Sequence, residues 1–587
     1  MAALRRHWPM LLLWLAASAV LVWFSWDRIV SRAGWDPDDQ LRMVQLRDFL
    51  GGQSWFDTTQ YRMNAPDGAP MHWSRLVELP LALLVLLLSP LLGVAGAEMA
   101  AGAAVPLLCL GGIALLLADT GQRIGGRAVA IVAFWLTLIA PALLIQLRPM
   151  RIDHHGWQIF CAVIGIASLY WRNGPAAGLV LGTALAVWIH ISLEGAPMTA
   201  AFFLFLGWRW VSGKDSEKRL FWTLCSFAAL SVLLFTGTQI QGIYASQYCD
   251  TLSPAHVFAI LGAVAVLLPA TYVHPPRRIV RLALTGLAGL IAVAILLWLV
   301  PQCAKGAFGD LDPVVRIYWY DNVREGLPVW DQDAQVIVSL FTPLIVAILG
   351  LGILWRSATP VVRATLAPSA FFLIYGSILT IMVFRTVAVA AAFAIVPAAY
   401  CLVAAFNAYR VQPRLLMRLS LVPAAIMLMA SGMVCSALYA EFVGNSADTI
   451  KGKFAASKAS EAKDCASIVS VAALGKLPTS NLVVPFNIGP AVLLSTRHKV
   501  LASSHHRNHA GMRDQIDLFR LPPDQAKFII DRRALNYIVA CPTDAEMTRY
   551  AKRAPKGLWG QIDAGNVPAW LEYQGALGKG LKVWRVR

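Results

Sequence analysis

Charge is scarce in this chain. Of 587 residues only 14% are charged, against 58% hydrophobic. A soluble domain needs more polar surface than that, so a bilayer must replace water around most of the protein. Acids are fewer still, 33 against 50 Lys and Arg, and the long apolar runs hold almost none. Transport folds place ionisable groups near the bilayer midplane, so a transporter or lipid-linked-sugar flippase is the weaker alternative. No basic groove with interleaved aromatics is present, which removes nucleic acid as a partner. There is no Asn-x-Ser/Thr site anywhere, so nothing calls for a eukaryotic lumen, and a bacterial inner membrane is the expected location.

What is there is a series of apolar segments. Residues 8–26 follow a basic N-terminus and are long enough to span, which predicts an uncleaved signal anchor with its N-terminus in the cytoplasm. Further segments lie near residues 99–118, 128–147, 157–171, 176–190, 198–211, 220–236, 255–273, 280–300, 335–354, 365–384, 386–407 and 416–440. Together they predict about thirteen crossings. Charge parity agrees: alternate connections, at 122–127, 172–173, 214–219, 274–278, 356–363 and 410–418, are short and basic, as loops left in the cytoplasm should be. The other connections (outer loops 31–98, 148–156, 237–254 and 301–334) carry most of the acids. Residues 79–96 are apolar too, but counting them would reverse the parity. They are expected to form a helix in or re-entering the outer interface, interrupted at Pro80 and Pro90. The predicted architecture is an α-helical polytopic membrane domain over 1–440 followed by a C-terminal periplasmic α/β domain over 441–587. Cys249 and Cys303 fall on outer loops, and Cys465 and Cys541 in the outer domain. Such pairs can close disulfides in an oxidising compartment, with the pairing left open by sequence.

The chemistry concentrates in the outer loops. Trp35-Asp36-Pro37-Asp38-Asp39-Gln40-Leu41-Arg42 puts three carboxylates within four residues, an arrangement that a cation or basic group would relieve. Arg148-Pro149-Met150-Arg151-Ile152-Asp153-His154-His155 sets oxygen and imidazole ligands beside guanidinium groups suited to phosphate. Glu194, Glu325 and Arg385 are further charges at outer helix ends, and a charge there marks a functional site by default. Asp36, Asp153 and His155 are the expected ligands of a divalent metal, Mn²⁺ or Mg²⁺. The run Ser504-His505-His506-Arg507-Asn508-His509 is expected to contact anionic substrate groups. Lacking accompanying acids, it is not read as a second metal site.

These loops, in this order, resemble the GT-C superfamily of membrane glycosyltransferases, and most of all the catalytic subunit of oligosaccharyltransferases. Trp35-Asp36-Pro37, Arg42 and Ser54-Trp55-Phe56-Asp57 look like that family's first outer loop. Asp153-His154-His155 is similar to its second-loop acidic pair, with His155 in place of the second acid. Val323-Arg324-Glu325 with Pro328 and Trp330 resembles the fifth-loop motif, and Arg385 the arginine that meets the lipid-linked phosphate. The resemblance implies Asp36 and Glu325 as catalytic groups, with the neighbouring Asp39 as an alternative proton acceptor. It implies Arg42 and Arg385 as substrate contacts, to which the loop residues themselves add Arg148, Arg151, Glu194, His505, His506 and Arg507. It also implies a polyprenyl-linked sugar donor, membrane lipids, and a periplasmic glycan, lipid or protein acceptor. The family's Trp-Trp-Asp-Tyr-Gly acceptor reader is missing. Pro485-Phe486-Asn487-Ile488-Gly489-Pro490 stands in the comparable place.

Overall fold

The structure, a computed structural model, describes residues 2–215, 218–238, 247–309, 311–442 and 465–587. Among these, nine helices are long and apolar enough to cross a membrane, and two shorter apolar helices accompany them. The protein is a multi-pass membrane protein with a C-terminal α/β sheet domain. Every expected span falls on a helix. The chain packs as two units. One comprises Met1–Ser25, Ala103–Asp310 and Arg324–Phe442, and the other Trp26–Gly102, Leu311–Val323 and Val443–Arg587.

Two boundaries differ from expectation. Residues 79–96 do not end as a separate helix but open one of 61 residues, Leu79–Ile139. Straight, that would run about 90 Å, three bilayer cores. Gly93 and Gly126 adopt left-handed φ of 67° and 79°, which a glycine accepts without the Cβ clash. They break the run at two points, with its longest piece between them. The expected span 128–147 breaks at Ala140, and a new helix, Pro141–Leu147, starts with Pro at its first turn, where the missing N–H costs nothing.

In the first unit the helix Val387–Val411 is central. Its residues Val387–Ala399 are buried, most of them alanines, and small side chains let neighbouring backbones approach closely in lipid. The same logic operates at Gly182, where a Cβ would sit 2.3 Å from the Thr223 carbonyl of helix Arg219–Thr238. By contrast Arg278–Leu299 buries only Arg281 and Ala288. Its Leu290 and Trp298 are 69% and 81% exposed, the sign of a lipid-facing helix. Two basic residues from the short hinges lock helix ends together. Arg219 donates to the carbonyls of Leu169 and Trp171 at 2.8 and 2.7 Å. Arg281 donates to the Trp210 carbonyl at 2.7 Å. The Cys249–Cys303 disulfide closes within this unit.

The second unit is built on a five-stranded sheet, β1 (Asn481–Val483), β2 (Lys499–Val500), β3 (Tyr537–Ala540), β4 (Leu571–Leu577) and β5 (Leu581–Val586), in the order β2-β1-β3-β5-β4. β1 runs parallel to β2 and β3, while β5 pairs antiparallel with β3 and β4. β2 is an edge strand, and the first outer loop covers it. Asn64 donates its N–H to the Val500 carbonyl at 3.0 Å, and Val500 donates to Arg62 at 2.9 Å. Arg62 and Arg47 then reach the carbonyls of Thr496, Leu493 and Leu494. Behind this loop Glu78 is fully buried between Arg42 and Arg75, at 3.1 and 2.8 Å. Removing one partner from such a triad leaves an uncompensated buried charge, costing about 3–5 kcal/mol. The segment Leu311–Val323 belongs to the same unit. Arg513 grips Asp312 at 2.9 Å, and Tyr318 stacks on Tyr550. Cys465 and Cys541 are joined.

Glu546 lies buried beside this core and accepts the Phe486 N–H at 2.7 Å. Burial, reinforced by Asp544, pushes its carboxyl up to about 8. A carboxyl raised from its ordinary value binds its proton more tightly when folded. Its stabilisation is therefore complete at low pH and lost as pH rises from about 4.5 through about 8. Thermal melts of the full chain in nanodiscs, followed by tryptophan fluorescence, should show the second unit losing several degrees from pH 5 to 8. Glu546→Gln should flatten that slope.

Candidate functional site

In the first unit the chain leaves helix Pro141–Leu147 at Arg148, turns at Pro149-Met150, and enters helix His155–Ser168. Met150 takes a left-handed φ of 69°, which turns Arg151 back so that it donates to Asp153 at 2.8 Å. Asp153 also accepts from the His155 N–H at 2.9 Å and pairs with His155 Nδ1 at 2.7 Å. Burial works against a charged Asp153. The neighbouring Arg151 and His155 outweigh it and hold the carboxyl well below its usual range. Asp153 is thus an ionised, buried anchor that fixes the imidazole of His155.

His155 is 7% exposed. With Nδ1 taken by Asp153, its Nε2 has no hydrogen-bond partner among the described residues. A carboxylate holding one imidazole nitrogen while the other stays open is the usual support of a metal-ligating histidine. His154 stacks on His155 with ring centroids 4.4 Å apart. One ligand atom each from His154, His155 and Glu194 lie within 4.8 Å of one another. The donor set therefore fits a divalent ion.

Glu194 comes from the short helix Leu193–Gly195, after the span Gly174–Ile191. It accepts from Gln158 at 3.2 Å, and Trp188 donates to the same Gln158 at 3.0 Å. Arg385, from the turn Phe384–Thr386, ion-pairs with Glu194 and lies 3.7 Å from Glu325. That turn is pinned by the Phe384 N–H donating to the Leu327 carbonyl at 3.1 Å. Burial would raise the Glu194 carboxyl, but Arg385 first, then His154 and His155, hold it well below its usual range. Asp153, His155, Glu194, Glu325 and Arg385, read from four separate loops, thus belong to one connected network. His154, Gln158 and Trp188 are members that sequence reasoning missed as site residues. Only the polar Gln158 inside an apolar helix signalled it.

Other expected site residues have different surroundings. Asp36 caps helix Pro37–Leu50, accepting the Asp39 N–H at 3.0 Å. Asp39, expected as a catalytic group, is 1% exposed, and its carboxylate accepts the Trp35 and Asp36 N–H groups. The Asp-Pro-Asp-Asp run is a capping box. Arg42, expected to touch substrate, is 1% exposed and donates to Glu78, the Ser74 carbonyl and Gln45. It carries the first loop instead, because a guanidinium buried this deeply must be paired. Arg151 is committed to Asp153 and Gln146 rather than presented outward. Arg148 and Arg507 are half-buried. In the second unit His505 and His506 follow β2 and meet His72, a residue with no motif to announce it. Asp36 and Asp39 are part of the second unit, Asp153 and His155 of the first.

No family model and no curated protein matches this sequence. Solved structures do. The archaeal oligosaccharyltransferase AglB of Archaeoglobus fulgidus, in complex with an inhibitory peptide and a dolichol-phosphate, aligns over 97% of this chain and 74% of its own, with 15% identity and a TM-score of 0.65. The Archaeoglobus fulgidus enzyme tethered to an acceptor peptide with an NVT sequon covers 98% and 74%, at 13% identity and TM-score 0.62. The same protein with zinc and sulfate covers 96% and 72%, at 14% identity and TM-score 0.59. At such identity the likeness is one of fold: the chain shares the fold of these oligosaccharyltransferase structures over nearly its whole length.

Replacing Arg385 removes the charge that offsets burial at Glu194, so the Glu194 carboxyl should move up. The Glu194 contribution to wild-type stability should be level above about pH 4.5 and fall on further acidification. Arg385→Ala should make that fall shallower, because the folded and unfolded Glu194 carboxyls then differ less in proton affinity, as read by thermal melts between pH 7 and 3.

Proposed function

We propose that this chain, built on the oligosaccharyltransferase fold, is a membrane glycosyltransferase of the GT-C type. It would move a sugar or oligosaccharide from a polyprenyl-phosphate or pyrophosphate donor to an acceptor on the non-cytoplasmic face. The observation that carries this reading is the network Arg151–Asp153–His155, His154–Glu194–Arg385–Glu325, in which charges from four loops, buried at Arg151, Asp153 and His155 and exposed at Glu194 and Glu325, meet at a helix-terminal surface. A structural protein has no need to gather so many ions, and clustered perturbed carboxylates mark functional sites.

Transfer breaks the bond between the anomeric carbon and the donor's phosphate oxygen, and forms one to the acceptor oxygen. The phosphate departs with the bonding electrons, and the acceptor's proton goes to a carboxylate. Attack opposite the leaving group inverts the anomeric centre. Asp36 is the carboxylate assigned to take that proton. Arg385 would stabilise charge growing on the departing phosphate, with Arg148 assisting. Glu194 and Glu325 hold the Arg385 guanidinium in place, and Glu325 would face the acceptor side. A divalent cation, Mn²⁺ or Mg²⁺, would be held by His155 with Asp36 and Asp153 and would neutralise the leaving group. A Glu194 carboxylate beside His154 and His155 extends the donor set. That Asp36 joins Asp153 and His155 rests on the sequence reading. One of the Archaeoglobus structures contains zinc and sulfate, which accords with metal and phosphate chemistry in this fold.

The acceptor is a glycan, lipid or protein other than an Asn-x-Ser/Thr peptide, since the Trp-Trp-Asp-Tyr-Gly reader is absent and Phe486 in its place is tied to Glu546. The basic hinges support a cytoplasmic N-terminus and a periplasmic sheet domain at a bacterial inner membrane.

Purified protein incubated with labelled polyprenyl-linked sugars should transfer label, and EDTA should lower the rate until Mn²⁺ is restored. Asp36→Ala and Asp153→Ala should abolish transfer while membrane insertion persists. Arg385→Ala should lower kcat by about 10²–10³-fold. Full activity in both aspartate variants would overturn the assignment.

A further inference from the structure

Three imidazoles meet in the second unit where sequence reasoning saw only a basic run. The cause is the covering of β2. Because residues 62–64 pair with Val500, the returning arm of the first loop carries His72 and Trp73 alongside the chain that leaves β2. That chain is itself fixed. Ser503 is fully buried against Met63, at 3.4 Å from its sulfur. Asn508 donates its side-chain amide to the Leu501 carbonyl at 3.0 Å and its backbone N–H to the His505 carbonyl at 3.1 Å. His505 and His506 therefore have little freedom.

The geometry of the three rings is compact. His72 Nδ1 lies 3.1 Å from His505 Nε2. Ring centroids are 5.0 Å apart for His72 and His505, 4.9 Å for His72 and His506, and 5.5 Å for His505 and His506. A ligand nitrogen of His506 lies within 4.8 Å of one on His72. Trp73 stands edge-on to His505, and Trp319 stacks on His506 at 6.3 Å.

Two nitrogens bound to one tetrahedral ion at about 2.0–2.1 Å stand about 3.3 Å apart, close to the separation seen. We propose that His72, His505 and His506 form a binding site for a borderline transition-metal dication, Zn²⁺ or one that substitutes for it. Its ligands are different residues from those assigned to hold the catalytic metal. Imidazole ligands favour Zn²⁺, Cu²⁺ or Ni²⁺ over Mg²⁺ and Ca²⁺. The fold brings in a third histidine 433 positions away in sequence. Occupancy would cross-link the first outer loop to the sheet domain.

The test uses full-length protein stripped with EDTA and titrated with Co²⁺, whose tetrahedral complexes absorb in the visible, with Zn²⁺ as competitor. Asp153→Ala/His155→Ala protein, which lacks the ligands assigned to catalysis, should still bind one equivalent with the tetrahedral spectrum, displaced by Zn²⁺ and not by Mg²⁺. Adding His505→Asn or His506→Asn to that background should weaken binding at least about tenfold, and the rise in Tm on adding Zn²⁺ should vanish. The asparagine variants keep a hydrogen-bonding group, so circular dichroism and an unchanged metal-free Tm verify folding. If the double variant binds no Co²⁺, or if the histidine changes leave its affinity and spectrum unchanged, the proposal is overturned. Neither result bears on sugar transfer, which is read separately.

Discussion

Pairing of charge in a low-dielectric setting is the constraint on which both units depend. Few ionisable groups are present, and most of the buried ones described have an opposite charge or a backbone polar group against them. Asp153 lies between Arg151 and His155, Glu194 meets Arg385, and Glu78 sits between two guanidiniums. A pair buried this way is weak evidence for stability. It is good evidence for position, because each ion dictates where its partner stands. The helices supply rigid ends, and the pairs at those ends determine the geometry of the chemistry.

The two units use that constraint differently. In the first, alanine-rich packing around Val387–Val411 brings helix ends together, and the network at Asp153 and Glu194 occupies the resulting surface. In the second, the sheet supplies the scaffold, and the first outer loop is stitched to it through Arg62, Arg47 and the Val500 pairing. Arg42 and Arg75 hold that loop from behind. A loop organised by so many backbone acceptors presents Asp36 and His72 without relying on a core of its own.

Much of the membrane architecture was legible because apolar length and loop charge are direct consequences of bilayer thickness and insertion. The single charges at Asp153, Glu194, Glu325 and Arg385 were legible for the same reason: an ion at a helix end has to be explained. The cysteine pairs followed from sidedness. Other features were hidden because they depend on contacts distant in sequence. Nothing local announces that Arg42 will be sealed by Glu78, that Asp39 will serve a helix cap, or that Gln158 will bridge Trp188 and Glu194. The break at Ala140-Pro141 and the turns at Gly93 and Gly126 sat inside runs whose hydrophobicity masked them. His72 had no motif, and only the register of a two-residue strand brings it to His505.

That two-residue strand also bears on biogenesis. β2 pairs on one side with β1 and on the other with residues that leave the ribosome more than four hundred positions earlier. The first loop must therefore wait, unpaired, until the last quarter of the chain arrives. The C-terminal segment in turn presents an open strand edge until it finds that loop, and open edges recruit other chains. Maturation of the outer region is for this reason a late, whole-chain event. Separating the sheet from the membrane helices would leave an adhesive fragment in place of an autonomous domain.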